Sequence, residues 1–311
     1  MAAYGVVSLL MLLALVSFVV NQFEARYEAR LDRDPETGVI RGFEPILLNT
    51  ERHDRAVLMV HGFIGAPQNY NRLPHDIAAA GWRVEAMLLP GCGTTPRQHE
   101  RTTLDELVDG VSARLLALRQ ECEVVVLMGH SQGGALATLV AARHQPDGLA
   151  LFAPYYGLTG SDFGDAALAR LTQTLSPVLR WVPEKGGGIN LLENENKILR
   201  YGWVSLGAAI TAMASSRAVY EQEAWKQITM PVMIVHSRND KVTSPKATEA
   251  MIPRFASNDV TAHWLEKSNH VYFWDYDAEM VSQVTLEFLR RWDDESTRQD
   301  SENQKASLST P

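Results

Sequence analysis

Cysteine is nearly absent: the 311 residues contain only Cys92 and Cys122. Two thiols cannot build a disulfide framework, and neither belongs to a Cys/His cluster with zinc-like spacing. Reduced thiols are expected, and no metal or organic cofactor is called for. Basic charge is also short. Lys and Arg number 29 against 37 Asp and Glu, a formal net charge of −8. That balance excludes a broad phosphate-binding surface and so argues against nucleic acid as a partner. No internal repeat is visible, which removes solenoids and propellers. No feature of the sequence sets an oligomeric state.

What is present begins with an uncharged run from Ala2 to Val20. As a helix rising about 1.5 Å per residue it would reach roughly 28 Å, close to a bilayer's hydrocarbon thickness. No Lys or Arg precedes it, and Val19-Val20-Asn21-Gln22 is a poor cleavage site, so a removed signal peptide is the weaker reading. The expectation is a single N-terminal transmembrane anchor over residues 1–22. Arg26, Arg30 and Arg33 follow it, which places the body on the cytoplasmic side by the positive-inside rule.

An apolar fraction of 46% with 21% charged residues is that of an ordinary globular chain. Ala56 to Val60 is a continuous apolar run of the kind buried on both faces of a parallel sheet. Trp82 to Leu89, Val124 to His130, Leu149 to Ala153, Pro231 to His236 and Thr261 to Leu265 read as further strands. Helical patterns alternate with them: Leu73 to Ala80, Thr103 to Gln120, Ser244 to Phe255 and Ala278 to Trp292. Thr103 is placed as an N-cap, with Glu106 as its capping-box partner. Strands alternating with helices predict a mostly parallel, doubly wound α/β sheet, which binds ligands beyond the carboxyl ends of its strands. Between Gly157 and Met230 the pattern turns helical without strands, as expected of a cap inserted over that edge. Gly186-Gly187-Gly188 reads there as a flexible turn. After Trp292 the chain is polar and expected to be disordered. The resulting division is an anchor at 1–22, a core over 23–156 and 230–292, a helical cap at 157–229 and a tail at 293–311.

The chemistry centres on Gly129-His130-Ser131-Gln132-Gly133, where a buried strand runs into a helix without a linker. A serine on so sharp a turn lifts its hydroxyl clear of the sheet, and the flanking glycines leave room for it. The bare pattern arises by chance in roughly one chain in ten of this length, with glycine near 7% of residues. Partners must therefore be found. A serine hydroxyl needs a base to take its proton, and the base needs a third group to orient it. Asp240 follows the strand ending at His236, and His270 follows the strand ending at Leu265. Asp275 and Asp277 are fallbacks for the acid. The backbone N–H groups of Gln132 and Phe63 are candidate oxyanion donors, with Gly62 letting the loop approach the substrate. His61, Gly62, Cys92 and His130 are placed as residues lining the substrate. His236 has no chemical context in the sequence.

The order Ser131, Asp240, His270 is that of one fold. With His61-Gly62-Phe63-Ile64-Gly65 and Leu89-Pro90-Gly91-Cys92-Gly93-Thr94, the chain resembles the α/β-hydrolases, within them the carboxylesterase and monoacylglycerol lipase group, over about Val57 to Trp292. The resemblance implies a serine hydrolase that cleaves carboxylic esters, acylglycerols or other lipid-like esters, through an acyl-enzyme. Relatives usually carry His at Cys92 and Gly at Ser237 and Asn269. Asn269 is expected to serve by tolerating left-handed backbone. Leu171, Leu179, Trp181, Leu199, Tyr201, Trp203, Leu206, Ile210, Met213, Tyr220 and Trp225 make the cap apolar, which suits an acyl chain. Acyl transfer or thioester hydrolysis by the same triad is a rival reading, as is a non-catalytic ligand-binding protein.

Overall fold

The computed structural model describes residues 2–160, 164–176 and 179–293. In chain order its elements are α1 (Ala2–Glu28), β1 (Ile46–Leu48), β2 (Arg55–Val60), α2 (Leu73–Ala79), β3 (Arg83–Met87), α3 (Pro96–Arg101), α4 (Leu104–Glu121), β4 (Val124–His130) and α5 (Gln132–His144). There follow β5 (Gly148–Phe152), α6 (Gly164–Leu175), β6 (Trp181–Pro183), β7 (Trp203–Ser205), α7 (Leu206–Glu221), β8 (Val232–Ser237), α8 (Pro245–Met251), β9 (Val260–Leu265) and α9 (Ala278–Leu289). Seven strands form one sheet in the order β1-β3-β2-β4-β5-β8-β9, parallel except for β1.

Alternation along the strands divides the core between the two faces of the sheet. Val57, Met59, Val126, Met128, Met233 and Val235 face α2 and α9. Ala56, Leu58, Val125, Leu127, Val232 and Ile234 face α4 and α5. Helix α4 turns Leu107, Val108, Val111, Leu115 and Leu118 inward, and its capping box of Thr103 and Glu106 is formed as expected. The expected helix from Ser244 to Phe255 is shorter. It gives way to a 3-10 turn at Ile252–Arg254 around Pro253, whose ring nitrogen has no N–H to donate to the preceding helical turn.

Two expectations fail in the region over the sheet's carboxyl edge. The block between β5 and β8 is not wholly helical: β6 and β7 pair antiparallel within it. Three residues each are too few to show a period of two. The transmembrane anchor fails as well. Among the described residues no helix is long and apolar enough to cross a membrane. That overturns the expected span and the cytoplasmic sidedness read from Arg26, Arg30 and Arg33. Helix α1 does not end with the apolar run. It continues across residue 22, and the polar groups of its last turns are bound to the body. Asn21 Oδ1 accepts from Trp181 Nε1 at 3.0 Å, Arg97 Nη2 donates to the buried Glu24 at 2.7 Å, and Tyr27 Oη accepts from Gly202 N at 2.7 Å. The tail expected to be disordered lies, apart from Asp293, outside the described residues.

The last turn of the described chain closes the core. Trp292 stands edge-on to Trp82 and Phe288, with centroids 6.2 and 5.4 Å apart. It covers Gly148, where a Cβ would come within 2.5 Å of the indole. Trp292→Ala should therefore cost about 3–5 kcal/mol by leaving a cavity. Equilibrium unfolding in urea checks this; an unchanged midpoint would show that the indole is dispensable.

Candidate active site

The carboxyl ends of the parallel strands bring the expected residues together. Ser131 follows β4, Asp240 follows β8 and His270 follows β9. The Ser131 backbone is held at φ 55° and ψ −121°, a sparsely populated region for a residue with a side chain. The neighbouring glycines make that geometry possible. A Cβ on Gly129 would lie 2.2 Å from Gly133 O, and one on Gly133 would lie 2.1 Å from Val60 O. Ser131 Oγ lies 2.9 Å from His270 Nε2, and His270 Nδ1 lies 2.7 Å from Asp240 Oδ2.

Protonation follows from these contacts. Burial pushes the Asp240 carboxyl up, but the two imidazoles beside it, His270 and His236, outweigh that and hold it well below the usual carboxylate range. An ionised carboxylate only accepts, so His270 carries its proton on Nδ1 and leaves Nε2 bare to accept from the Ser131 hydroxyl. Oδ1 of Asp240 is fixed by the N–H groups of Val242 and Thr243 at 2.7 and 2.9 Å.

The fallback acids have other work. Asp275 accepts from the N–H groups of Asn190, Leu191, Asn269 and Tyr276 at 2.8–3.0 Å. It thereby ties the His270 loop to the segment before β7. Asp277 accepts from Lys267 N and Ser268 N. The two positions where relatives usually have glycine also stitch loops together. Ser237 Oγ donates to Ser268 O. Asn269 Oδ1 accepts from Lys241 N at 3.0 Å and His270 N at 2.9 Å. Asn269 is not among the residues of positive φ, so its amide, and not a left-handed backbone, is what the loop uses.

Other expected residues take distinct places. Gly62 and His130 line a cavity of about 400 Å³ beside Ser131, together with Asn69, Glu184 and Arg200. Phe63 and Gln132 meet Ser131 in a second, apolar cavity of about 200 Å³, lined also by Leu158, Leu168 and Met213. Gln132 opens α5, so its N–H has no partner in the preceding turn. His61 and Cys92 line neither cavity. His61 sits behind the Phe63 loop, its Nδ1 2.8 Å from Gly62 O and its Nε2 accepting from Leu89 N at 3.1 Å. Cys92 is buried in the core, where burial pushes its thiol up to about 12. His130 Nε2 is 3.1 Å from His270 O and so steadies the backbone of that residue.

Sequence reasoning missed His236, which approaches the other side of Asp240, and Val182, Pro183 and Val204 of β6 and β7, which line the larger cavity. Gly186-Gly187-Gly188 lines it too. That turn is pinned rather than loose, with Val271 N donating to Gly188 O at 2.7 Å beside His270. Of the apolar cap residues, Met213 reaches the smaller cavity, while Trp181, Tyr201 and Trp225 are buried in packing. Among the described residues no cluster of His, Cys, Asp and Glu is built to hold a metal ion.

A serine on a strand-to-helix turn, served by an acid and a histidine from later strand ends of a mostly parallel sheet, defines an α/β-hydrolase. The chain belongs to the family described as serine aminopeptidase S33, which matches residues 51–277. It is 29% identical over 258 residues to a thermostable monoacylglycerol lipase from Bacillus sp. (strain H-257), covering 81% of this chain and 96% of that one. A carboxylesterase of Bacillus subtilis is 22% identical over 242 residues, 77% of this chain and 94% of its own. Among solved structures, one described under the metagenome-derived lipolytic enzymes LipS and LipT superposes with TM-score 0.73 at 26% identity, over 81% of this chain and 99% of that one.

Burial leaves a signature in acid. It pushes the imidazoles of His61 and His99 down to about 4 and that of His130 down to about 3. The unfolded chain binds protons on these residues near pH 6.5 and the folded chain does not. Their contribution to stability is thus complete above about pH 6.5 and is lost as pH falls toward 4, by about 1.4 kcal/mol per pH unit for each residue. His99 packs its ring against Phe63 and Tyr201. In His99→Phe the slope of stability against pH between about 4 and 6 should fall by one proton's worth. Urea unfolding at a series of pH values measures it, and parallel curves would refute the assignment.

Proposed function

We propose that the protein hydrolyses carboxylic esters of lipid-like acids, acylglycerols among them, with Ser131 as nucleophile, His270 as base and Asp240 as orienting acid. The observation that carries the reading is the continuous relay of 2.9 and 2.7 Å from Ser131 through His270 to Asp240, opening on an apolar cavity. The lipase and carboxylesterase relatives support the same substrate class.

The acyl chain enters the smaller cavity, against Leu158, Leu168 and Met213. The alcohol occupies the larger one, where Asn69, Glu184 and Arg200 supply polar groups. Ser131 Oγ attacks the carbonyl carbon while His270 Nε2 takes its proton. The negative charge that develops on the carbonyl oxygen faces the N–H groups of Phe63 and Gln132, which are preorganised for it. The tetrahedral intermediate then collapses, and His270 returns the proton to the departing alcohol. Water, deprotonated by the same imidazole, releases the acid from the acyl-enzyme.

Hydrolysis of p-nitrophenyl esters from acetate to palmitate tests this. Ser131→Ala should lose roughly 10⁴-fold or more in kcat and no longer react with a fluorophosphonate probe. Equal labelling of wild type and variant would sink the nucleophile assignment. Met213→Trp should depress turnover of long-chain esters while sparing the acetate. A uniform loss across the series would place the acyl chain in the other cavity.

A further inference from the structure

His236 is an ionisable side chain in contact with Asp240 that the proposed reaction does not use. It lies on β8, wholly buried, with its Nε2 3.2 Å from Asp240 Oδ2. That oxygen is the one that accepts from His270 Nδ1 at 2.7 Å. On its other side, His236 Nδ1 is 2.9 Å from the hydroxyl of Thr248 on α8, itself fully buried. The ring stacks on Trp264 of β9, with planes 18° apart. Arg238 lies 4.4 Å over the same indole.

We propose that His236 is a positioning residue of the triad, sharing the Asp240 carboxylate with His270 and so setting how strongly Asp240 supports the His270 imidazole. The inference rests on the triad reading above. A carboxylate only accepts, so His236 must present its proton on Nε2. In the neutral ring Nδ1 is then an acceptor, and the Thr248 hydroxyl donates to it. Thr248 thus selects the tautomer that lets His236 hold Asp240. An imidazole in a dry interior is costly unless both nitrogens are matched, and here both are. Packing alone would be served by an apolar side chain, which makes the donor the informative feature.

The consequence is electrostatic. Each donor on Oδ2 disperses part of the carboxylate charge, leaving less for the imidazolium that forms on His270. Three act there: His270 Nδ1, His236 Nε2 and the Thr243 hydroxyl at 3.0 Å. Removing His236 concentrates the charge on His270, favours its protonated form and moves its titration to higher pH. Other ionisable groups around the pair hold one state through the neutral range. Burial pushes His130, whose ring centroid is 4.8 Å from that of His270, down to about 3. Burial pushes Tyr272 upward, so its phenol stays neutral. Asp240 stays ionised, and Arg238 stays charged beyond Trp264.

The test follows the His270 ring nitrogens by NMR against pH in full-length protein labelled with ¹⁵N-histidine. In His236→Leu the midpoint should rise by about one unit, roughly tenfold in acidity. His236→Gln, whose carboxamide nitrogen can still donate to Oδ2, should return it to within about 0.3 unit of wild type. Thr248→Val keeps the imidazole but frees its tautomer, and should shift the midpoint in the same upward direction. It decides the matter if His236→Leu does not fold. An unmoved midpoint in folded His236→Leu, or in Thr248→Val where the leucine variant is unfolded, overturns the proposal. So does a Gln variant that behaves like Leu. The titration needs no turnover. A protein inert toward esters would sink the proposed function, and an unmoved midpoint would sink the role of His236.

Discussion

The site depends on a steric constraint: α5 must leave β4 within a single residue. Helix and strands are so close there that Gly133 leaves no space for a methyl group against Val60 O. Ser131 absorbs the reversal at φ 55°, a conformation that costs on the order of 1–3 kcal/mol. The cost is offset by bonding around the same residue. Ser131 N donates to Phe152 O, while Ser131 O accepts from Gly134, Ala135 and Tyr155. The hydroxyl is left pointing at His270 with no competing partner of its own element, since its side chain makes no cap bond to α5. Strain here aims the Ser131 hydroxyl at His270.

The histidine side is solved by carboxylates. A loop carrying a base must not drift, yet loops lack the ladders that fix strands. Asp275 and Asp277 take the N–H groups of Lys267, Ser268 and Asn269 just before His270, and Asn269 couples that loop to the one bearing Asp240. The buried carboxylate of Asp275 is tolerated because its oxygens are met by donors fixed in the backbone. Since Asp275 also accepts from Asn190 and Leu191, the segment just after Gly186-Gly187-Gly188 of the larger cavity's wall and the His270 loop share one anchor. The cavity and the base are thus held in mutual register.

Much of this was legible in the sequence, for physical reasons that also mark where legibility ends. The strand of Val124 to His130 is buried along its whole length, and the glycines around its end are required by contact, so the sharp turn carrying Ser131 showed plainly. Asp240 follows the fully buried strand β8 and His270 follows the edge strand β9, which fixes both at the sheet's carboxyl edge. His236 was hidden because its partner Thr248 comes from a helix that folds back, a contact no local pattern encodes. Strands β6 and β7 were too short to register. The N-terminal helix misled because hydropathy counts the apolar run and cannot see what binds Asn21, Glu24 and Tyr27.

Several histidines crowd this site, and their contacts set His270 apart from the rest. His61 accepts from Leu89 with one nitrogen and faces Gly62 O with the other, so its ring is spent on tying the loop of Gly62 and Phe63 to the loop after β3. His130 donates to the carbonyl of His270 and packs edge-on against Tyr70 and Phe273. Both are pushed far below neutrality by burial and stay uncharged where the enzyme would work. Charged, either would repel a proton arriving on His270 and oppose its action as base. Only His270 reaches Ser131 Oγ, and only His270 and His236 reach Asp240. In the proposed reaction the His270 imidazole can therefore cycle its charge while His61 and His130, held neutral by burial, do not compete for the proton.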